Sequence, residues 1–399
     1  MKGSNMSNIY LDHSATTPLD PRVLAAMLPY FTEDFGNASS GYRIGKTAEK
    51  AVSQARETIA AILNCQPAEI VFTSGGTESD NYAVRGAAWL GRHTGKGNHL
   101  ITTPLEHDAI GKTIDQLVAY QGFERTILPV DSYGRVSAAD FERACRVQSS
   151  FASIMYANNE VGTVQDISEL SAIAHKNGLI FHTDAVQAAG QLSLDVQQLG
   201  VDLLSLSAHK FYGPKGVGAL FIRSGLDLIT AQTGGSQERG RRGGTYNTPG
   251  IVGLAKALEL AYTDVSTRTN RYQTLRDRLI SGVLAAVPQA QLSGHPEQRL
   301  PSHASFVFND LDNGALLDAL DLYGIAASAA SACKTGSPKP SGVLLALGYS
   351  YELASSSLRL TLGAQTTEAE IDQTISILSG IVDRITQAEP TFATDASYR

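Results

Sequence analysis

Leu203-Leu204-Ser205-Leu206-Ser207-Ala208-His209-Lys210-Phe211-Tyr212-Gly213-Pro214 runs from an apolar stretch of strand length into a lysine and then into turn residues. A lysine so placed stands at the carboxyl end of a buried strand. Desolvation and nearby cations lower an amine's pKa there, and the free amine can form a Schiff base. Upstream, Leu179–Asp184 has the same build, with an acid where the strand ends. Asp184 is thus predicted at the same sheet edge, where a carboxylate can cap a helix or pair with a protonated pyridine nitrogen.

Further out, short β-rich runs alternate with helical patterns: Glu69–Thr73 then 78–90, His99–Thr103 then 110–120, Phe151–Tyr156 then 167–175. Gly216–Ile222 adds one more strand. Such alternation predicts βαβ units and a mainly parallel sheet covered on both faces. Nearer the start, Asp20 is an N-cap, Pro21 takes the first helical position, and Val23, Leu24, Met27 and Leu28 follow at helical spacing. Beyond Pro249 come a long helical stretch through Ala286, the β-rich runs Ser305–Asn309, Ile325–Ala329 and Ser356–Leu362, and helices over 316–322 and 367–385. These mixed elements predict a second, smaller α+β domain.

Thr73-Ser74-Gly75-Gly76-Thr77-Glu78 ends one strand and opens a helix. Its glycines let backbone N–H groups approach a phosphate, and the helix N-terminus favours the anion. The segment has neither dinucleotide-fold glycine spacing nor a P-loop lysine, so the phosphate of a smaller cofactor is expected.

With 399 residues, 43% of them hydrophobic, the chain has enough material for a large core. Its formal charge of -7 comes from interspersed acids and bases with no basic stripe, which argues against nucleic acid as a direct ligand. No stretch stays apolar long enough for a membrane span, and the polar opening Met1–Asn8 lacks the apolar core of a signal peptide. The three cysteines, Cys65, Cys145 and Cys333, fall outside disulfide-framework and zinc-site spacings, so no metal and a reducing, cytoplasmic setting are expected. Cys65 and Cys145 lie in helical patterns and read as buried and inert. Cys333, within Ser331-Ala332-Cys333-Lys334-Thr335-Gly336-Ser337-Pro338, reads as part of a mobile polar loop, where a thiolate can be reached.

Together with Tyr10-Leu11-Asp12-His13-Ser14-Ala15-Thr16-Thr17, these segments resemble the fold-type-I pyridoxal-phosphate enzymes of aminotransferase class V, and within them the cysteine desulfurases of the NifS/IscS type. The likeness extends to the terminal helix. It implies an α/β fold-type-I transferase: a large domain over 17–262 with a mainly parallel seven-stranded sheet, and a smaller α+β domain from 1–16 and 263–399 carrying the Cys333 loop.

Position by position, the resemblance implies that Lys210 forms the Schiff base with pyridoxal 5'-phosphate and that Asp184 pairs with its ring nitrogen. Gln187 would bond the phenolic oxygen, and Gly76, Thr77, Ser207 and His209 the phosphate. His107, in Thr103-Pro104-Leu105-Glu106-His107, would stack on the ring and act as an acid and base. Asn159 and Arg359 would take the carboxylate of L-cysteine. Glu238–Thr245 resembles the family's dimer-crossing loop, so Thr245 would act in trans within a homodimer. Cys333 would accept the sulfur as a persulfide and pass it to an acceptor protein, an iron-sulfur scaffold or a thiolation protein.

The chain departs from the family pattern at Lys334, where a small hydroxyl residue is usual, and at Ser236, in place of a third glycine. Its tail, Ala388–Arg399, does not resemble the segment that docks a scaffold. Two other readings share the fold: a selenocysteine or cystine C–S lyase, against which the Cys333 loop argues, and a non-catalytic sulfur-relay partner, against which the intact lysine, aspartate and histidine argue.

Overall fold

The computed structural model describes residues 8–309, 311–329 and 340–388. Its strands in chain order are β1 (Ile9–Tyr10), β2 (Ile70–Thr73), β3 (His99–Thr102), β4 (Glu124–Ile127), β5 (Ser149–Ser153), β6 (Ile180–Asp184), β7 (Leu203–Ser207), β8 (Gly218–Ile222), β9 (Ala290–Leu292), β10 (His303–Phe308), β11 (Ile325–Ala326) and β12 (Ser357–Thr361). Seven of them form one sheet in the order β2-β8-β7-β6-β5-β3-β4. The steps from β4 through β3, β5 and β6 to β7 are parallel, and β8 runs antiparallel to both β7 and β2. Strands β5, β7 and β8 are buried along their whole length, as expected of a sheet with helices on both faces.

Local chemistry sets the helix boundaries. Asp20 accepts a hydrogen bond from Arg22 N at 2.8 Å and opens the helix Pro21–Met27. Asn64, left-handed at φ 54°, ends the long helix Arg43–Leu63, which was not among the expected elements. One expectation needs correction: the helical stretch after Pro249 is two helices, Thr248–Thr263 and Val265–Ala286, parted at Asp264 (φ -130°, ψ 41°). Between β6 and β7 the chain makes turns and one short helix, Val196–Leu199.

One apolar cluster joins Ile59, Phe72, Ile101, Phe181, Leu206 and Leu254 beneath the large sheet. A second, with Val84, Ile114, Phe151 and Leu220, fills its other face. A separate cluster gathers Leu279, Phe306, Leu320, Leu360 and Leu378 around the antiparallel strands β9, β10 and β12. Ile9 and Leu11 belong to that last cluster, because β1 pairs in parallel with β11. The segment from Ile9 to Leu11 therefore packs with β10, β11 and β12.

Candidate active site

β7 carries Ser207 to the carboxyl edge of the sheet, and a short turn of helix then presents His209 and Lys210. The Lys210 amine donates to the Ser14 and Ala15 carbonyls, the latter at 2.9 Å. Ser14 O also accepts from Gln187 Nε2 at 3.0 Å, so one carbonyl gathers two expected cofactor residues. Burial, reinforced by the Arg359 charge, lowers the Lys210 pKa from 10.5 to about 8, while Asp184 and Asp12 pull it upward. A buried amine of this kind is a nucleophile near neutrality.

Asp184 ends β6 and accepts from Val186 N at 2.9 Å. Burial raises its pKa; Val186 N and the charges of His107 and Lys210 oppose the rise. His107 is exposed and caps the helix Asp108–Gln121, its Nδ1 accepting from Ala109 N at 3.1 Å. An imidazole that accepts at Nδ1 can donate only from Nε2. His209 bonds Thr16 Oγ1 at 3.1 Å, and burial followed by the charges of Lys210 and Lys215 lowers its pKa to about 4, so it is neutral.

The helix Gly76–His93 begins beside β7. Its cap, Gly75, has φ 147° and no side-chain capping bond. A Cβ on Gly75 would point at Ser207 Oγ, 3.7 Å away, and one on Gly76 would lie 3.5 Å from Ser207 Cβ. Glycine thus keeps a space open between Ser207 and an uncapped helix N-terminus, with Thr77 exposed beside it.

Arg359, on β12, is 2% exposed. Its guanidinium donates to Asn159 O at 3.0 Å and to Asp12 Oδ1 at 2.8 Å, while its buried Nε has no hydrogen-bond partner. An arginine so buried is short of acceptors, which a carboxylate could supply. Thr245 is exposed and borders a cleft with Thr73, Ser74 and Arg242. Its loop is tied down by two ion pairs: Arg56 forks onto Glu238 at 2.8 and 2.9 Å, and Arg242 onto Glu78 at 2.8 and 3.1 Å.

Cys333 lies outside the described residues. Cys65 and Cys145 are free and half-buried, each just past a helix end rather than within a helix as expected. Burial pushes the Cys65 thiol up to about 12 and also raises that of Cys145, so neither is a ready thiolate.

Sequence reasoning missed the Ser14 and Ala15 carbonyls, backbone groups that leave no mark in a sequence, and the pairing of Asp12 with Arg359. It also passed over Asp80, although helical spacing puts this carboxylate on one face with Ala83, Val84 and Ala87.

A protein described as cysteine desulfurase IscS from Methanosarcina thermophila is 47% identical over 402 residues, covering 100% of this chain and 98% of its own length. Another of that name, from Clostridium botulinum, is 46% identical over 384 residues, 96% of each chain. Among solved structures, a NifS-like protein superposes with a TM-score of 0.89 at 36% identity, over 95% of this chain and 100% of that one. SspA in complex with cysteine gives a TM-score of 0.78 at 34% identity, over 89% and 98%. The aminotransferase class-V family model matches residues 9–374, and with relatives this similar along the full length, the chain belongs to that family.

Proposed function

We infer that the chain is a cysteine desulfurase that uses pyridoxal 5'-phosphate. The observation that carries the reading is the buried Lys210 amine, lowered to about 8, sharing the Ser14 carbonyl with Gln187 and within the field of Asp184. Relatives of that name at 46–47% identity along the full chain support it. So does the neighbouring structure that holds cysteine.

The residues suit the cofactor. Lys210 would bind its aldehyde carbon, Asp184 its ring nitrogen and Gln187 its phenolic oxygen. Its phosphate would lie at Gly76, Thr77, Ser207 and His209, in the space that the glycines leave open. When bound, pyridoxal phosphate supplies an electron sink that stabilises negative charge at the substrate Cα. Arg359 and Asn159 hold the substrate carboxylate, which supplies the acceptor that Arg359 Nε lacks. Lys210, freed as an amine, moves the Cα proton. His107 covers the ring and donates through Nε2. The Cys333 thiolate takes the substrate sulfur: an S–S bond forms as the Cβ–S bond breaks, and protonation of the carbon fragment ends in L-alanine.

The persulfide on Cys333 would then serve an acceptor protein, an iron-sulfur scaffold or a thiolation protein. A free working thiol suits a reducing compartment such as the cytoplasm, and no described helix is long and apolar enough to cross a membrane. We propose the homodimer with Thr245 acting in trans, supported by the exposure of Thr245 on an anchored loop. The division into 17–262 against 1–16 with 263–399 is likewise proposed, supported by the separate apolar cluster in which Ile9 and Leu11 meet the last strands.

Incubation with L-cysteine and pyridoxal phosphate should release alanine and sulfide in equal amounts under reductant. Lys210→Ala should release neither and should yield no borohydride-trapped cofactor. Full trapping in that variant, or turnover of selenocysteine or cystine with none of cysteine, would overturn the reading.

A further inference from the structure

Three carboxyl groups lie around the end of β6, and the reaction above uses only Asp184, which closes the strand. Asp80 Oδ1 is 3.8 Å from Nε2 of His182, two residues earlier. Glu106 accepts from Met155 N, next to Tyr156, whose N–H bonds Asp184 O at 2.9 Å. Asp80, on the helix Gly76–His93, is 1% exposed, and Asp184 is 5% exposed. Part of Glu106 reaches the surface, but its Oε2 is closed to solvent. Asp184 acts electrostatically on both of the others, and Glu106 on Asp80.

The hydrogen bonds are lopsided. Glu106 Oε1 takes two donors, Thr103 Oγ1 at 2.8 Å and Met155 N at 2.9 Å, while the buried Oε2 takes none. The buried Asp80 Oδ1 has no partner, although the Ser205 side chain nearby favours the ionised form. A carboxylate shares its charge between both oxygens and needs donors at each. A neutral acid there leaves one hydroxyl without an acceptor, which costs less than a buried anion oxygen without a donor.

Asp80 faces a base, His182, whose Nε2 lies 3.8 Å from Asp80 Oδ1, but whose ring nitrogens bond the Ser153 and Ser205 hydroxyls. Burial lowers His182 to about 3, so it is no counter-ion. Lys210 and His107 face Asp184 instead and favour its ionised form.

We propose that Asp80 and Glu106 are held as neutral acids, and that as positioning residues they leave Asp184 the one carboxylate, among the described residues, presented to the cofactor's ring nitrogen. The proposal rests on the role assigned to Asp184 above. A second charge beside Asp184 would drive a proton onto it, because neighbouring buried carboxylates do not both ionise. Burial agrees with the geometry: it pushes Glu106 up to about 8 and Asp80 well above the usual carboxylate range.

The test uses the full chain, with and without cofactor. Infrared spectra of the wild type near pH 7 should contain carboxylic-acid carbonyl bands that Asp80→Asn and Glu106→Gln each diminish. The raised Glu106 pKa implies stability that is complete below the ordinary carboxyl pKa and is lost as pH rises through about 8. Glu106→Gln should abolish that part of the decline in thermal midpoint, with or without cofactor. Because both substitutions keep the site neutral, cofactor affinity should change by less than about threefold, whereas Asp184→Asn should weaken it by roughly tenfold or more.

Absence of acid bands in the wild type, which needs no variant to fold, overturns the proposal. So does a loss of cofactor affinity in Asp80→Asn or Glu106→Gln as large as that in Asp184→Asn, which would mark them as anions. If the bands are present but Asp184→Asn binds cofactor normally, the reading of Asp184 falls and the positioning role with it, while the neutral acids stand.

Discussion

At pH 7 a lysine amine with the ordinary pKa of 10.5 is about 0.03% unprotonated, and one at about 8 is about 10% unprotonated, roughly 300 times more nucleophile. The corresponding cost of charging Lys210 is on the order of 3 kcal/mol, set first by burial and then by the Arg359 charge. The rate at which cofactor-stripped protein captures pyridoxal phosphate should therefore rise with pH and reach half its maximum near pH 8. Trapping initial rates with borohydride between pH 6 and 10 reads that midpoint, and the phosphate's own titration near 6 lies at the edge of the window. Arg359→Gln removes a cation and should move the midpoint toward 10.5. Asp184→Asn removes an anion and should move it below 8, whatever happens to the amplitude. A wild-type midpoint at or above 10, or a downward shift in Arg359→Gln, would refute the claim that burial and Arg359 activate the amine.

Mixed dimers of a Lys210→Ala subunit with a Thr245→Ala subunit should hold one site with both residues intact and one lacking both; equal cofactor affinity at the two sites would count against sharing. Cys333→Ala should keep the cofactor and its visible spectrum yet lose turnover of L-cysteine to alanine, and mass spectrometry after one turnover should find the added sulfur on the Cys333 peptide of the wild type. Arg56→Met strands Glu238, which is 2% exposed, and should cost about 3–5 kcal/mol by denaturant unfolding, most of it recovered when Glu238→Leu is added. A double variant no better than the single one would show that the pair contributes more than the mutual cancellation of two buried charges.

The central strands were legible because they are mostly apolar or small and end in chemistry: β6 in Asp184, β7 just short of Lys210. The edge strand β4, Glu124–Ile127, gave no such signal, since it is largely exposed and charged, as suits a sheet margin that must not recruit another strand. The break at Asp264 was hidden because helical spacing continues on both sides of it. At the candidate site, Lys210 and Asp184 could be placed from the strands they follow, whereas Gln187 and Arg359 rested on the family resemblance. Their partners were not: the Ser14 carbonyl lies 196 residues from Lys210 and Asp12 lies 347 from Arg359, separations at which local pattern carries no information.

Those separations bear on the order of events during synthesis. Ile9 and Tyr10 pair with Ile325 and Ala326, Asp12 bridges to Thr361, and Ser14 and Ala15 hold Lys210. On a ribosome making about 5–20 residues per second, the opening segment waits roughly 20–70 s for its last partners to be made. Contacts this distant in sequence form slowly even in a finished chain. The large sheet can assemble while translation continues, but the wall behind the Lys210 amine is completed only after β11 and β12 have emerged. A nascent chain stalled before Ile325 would own the lysine and lack its anchored setting, so the amine is tuned only once β11 and β12 are in place.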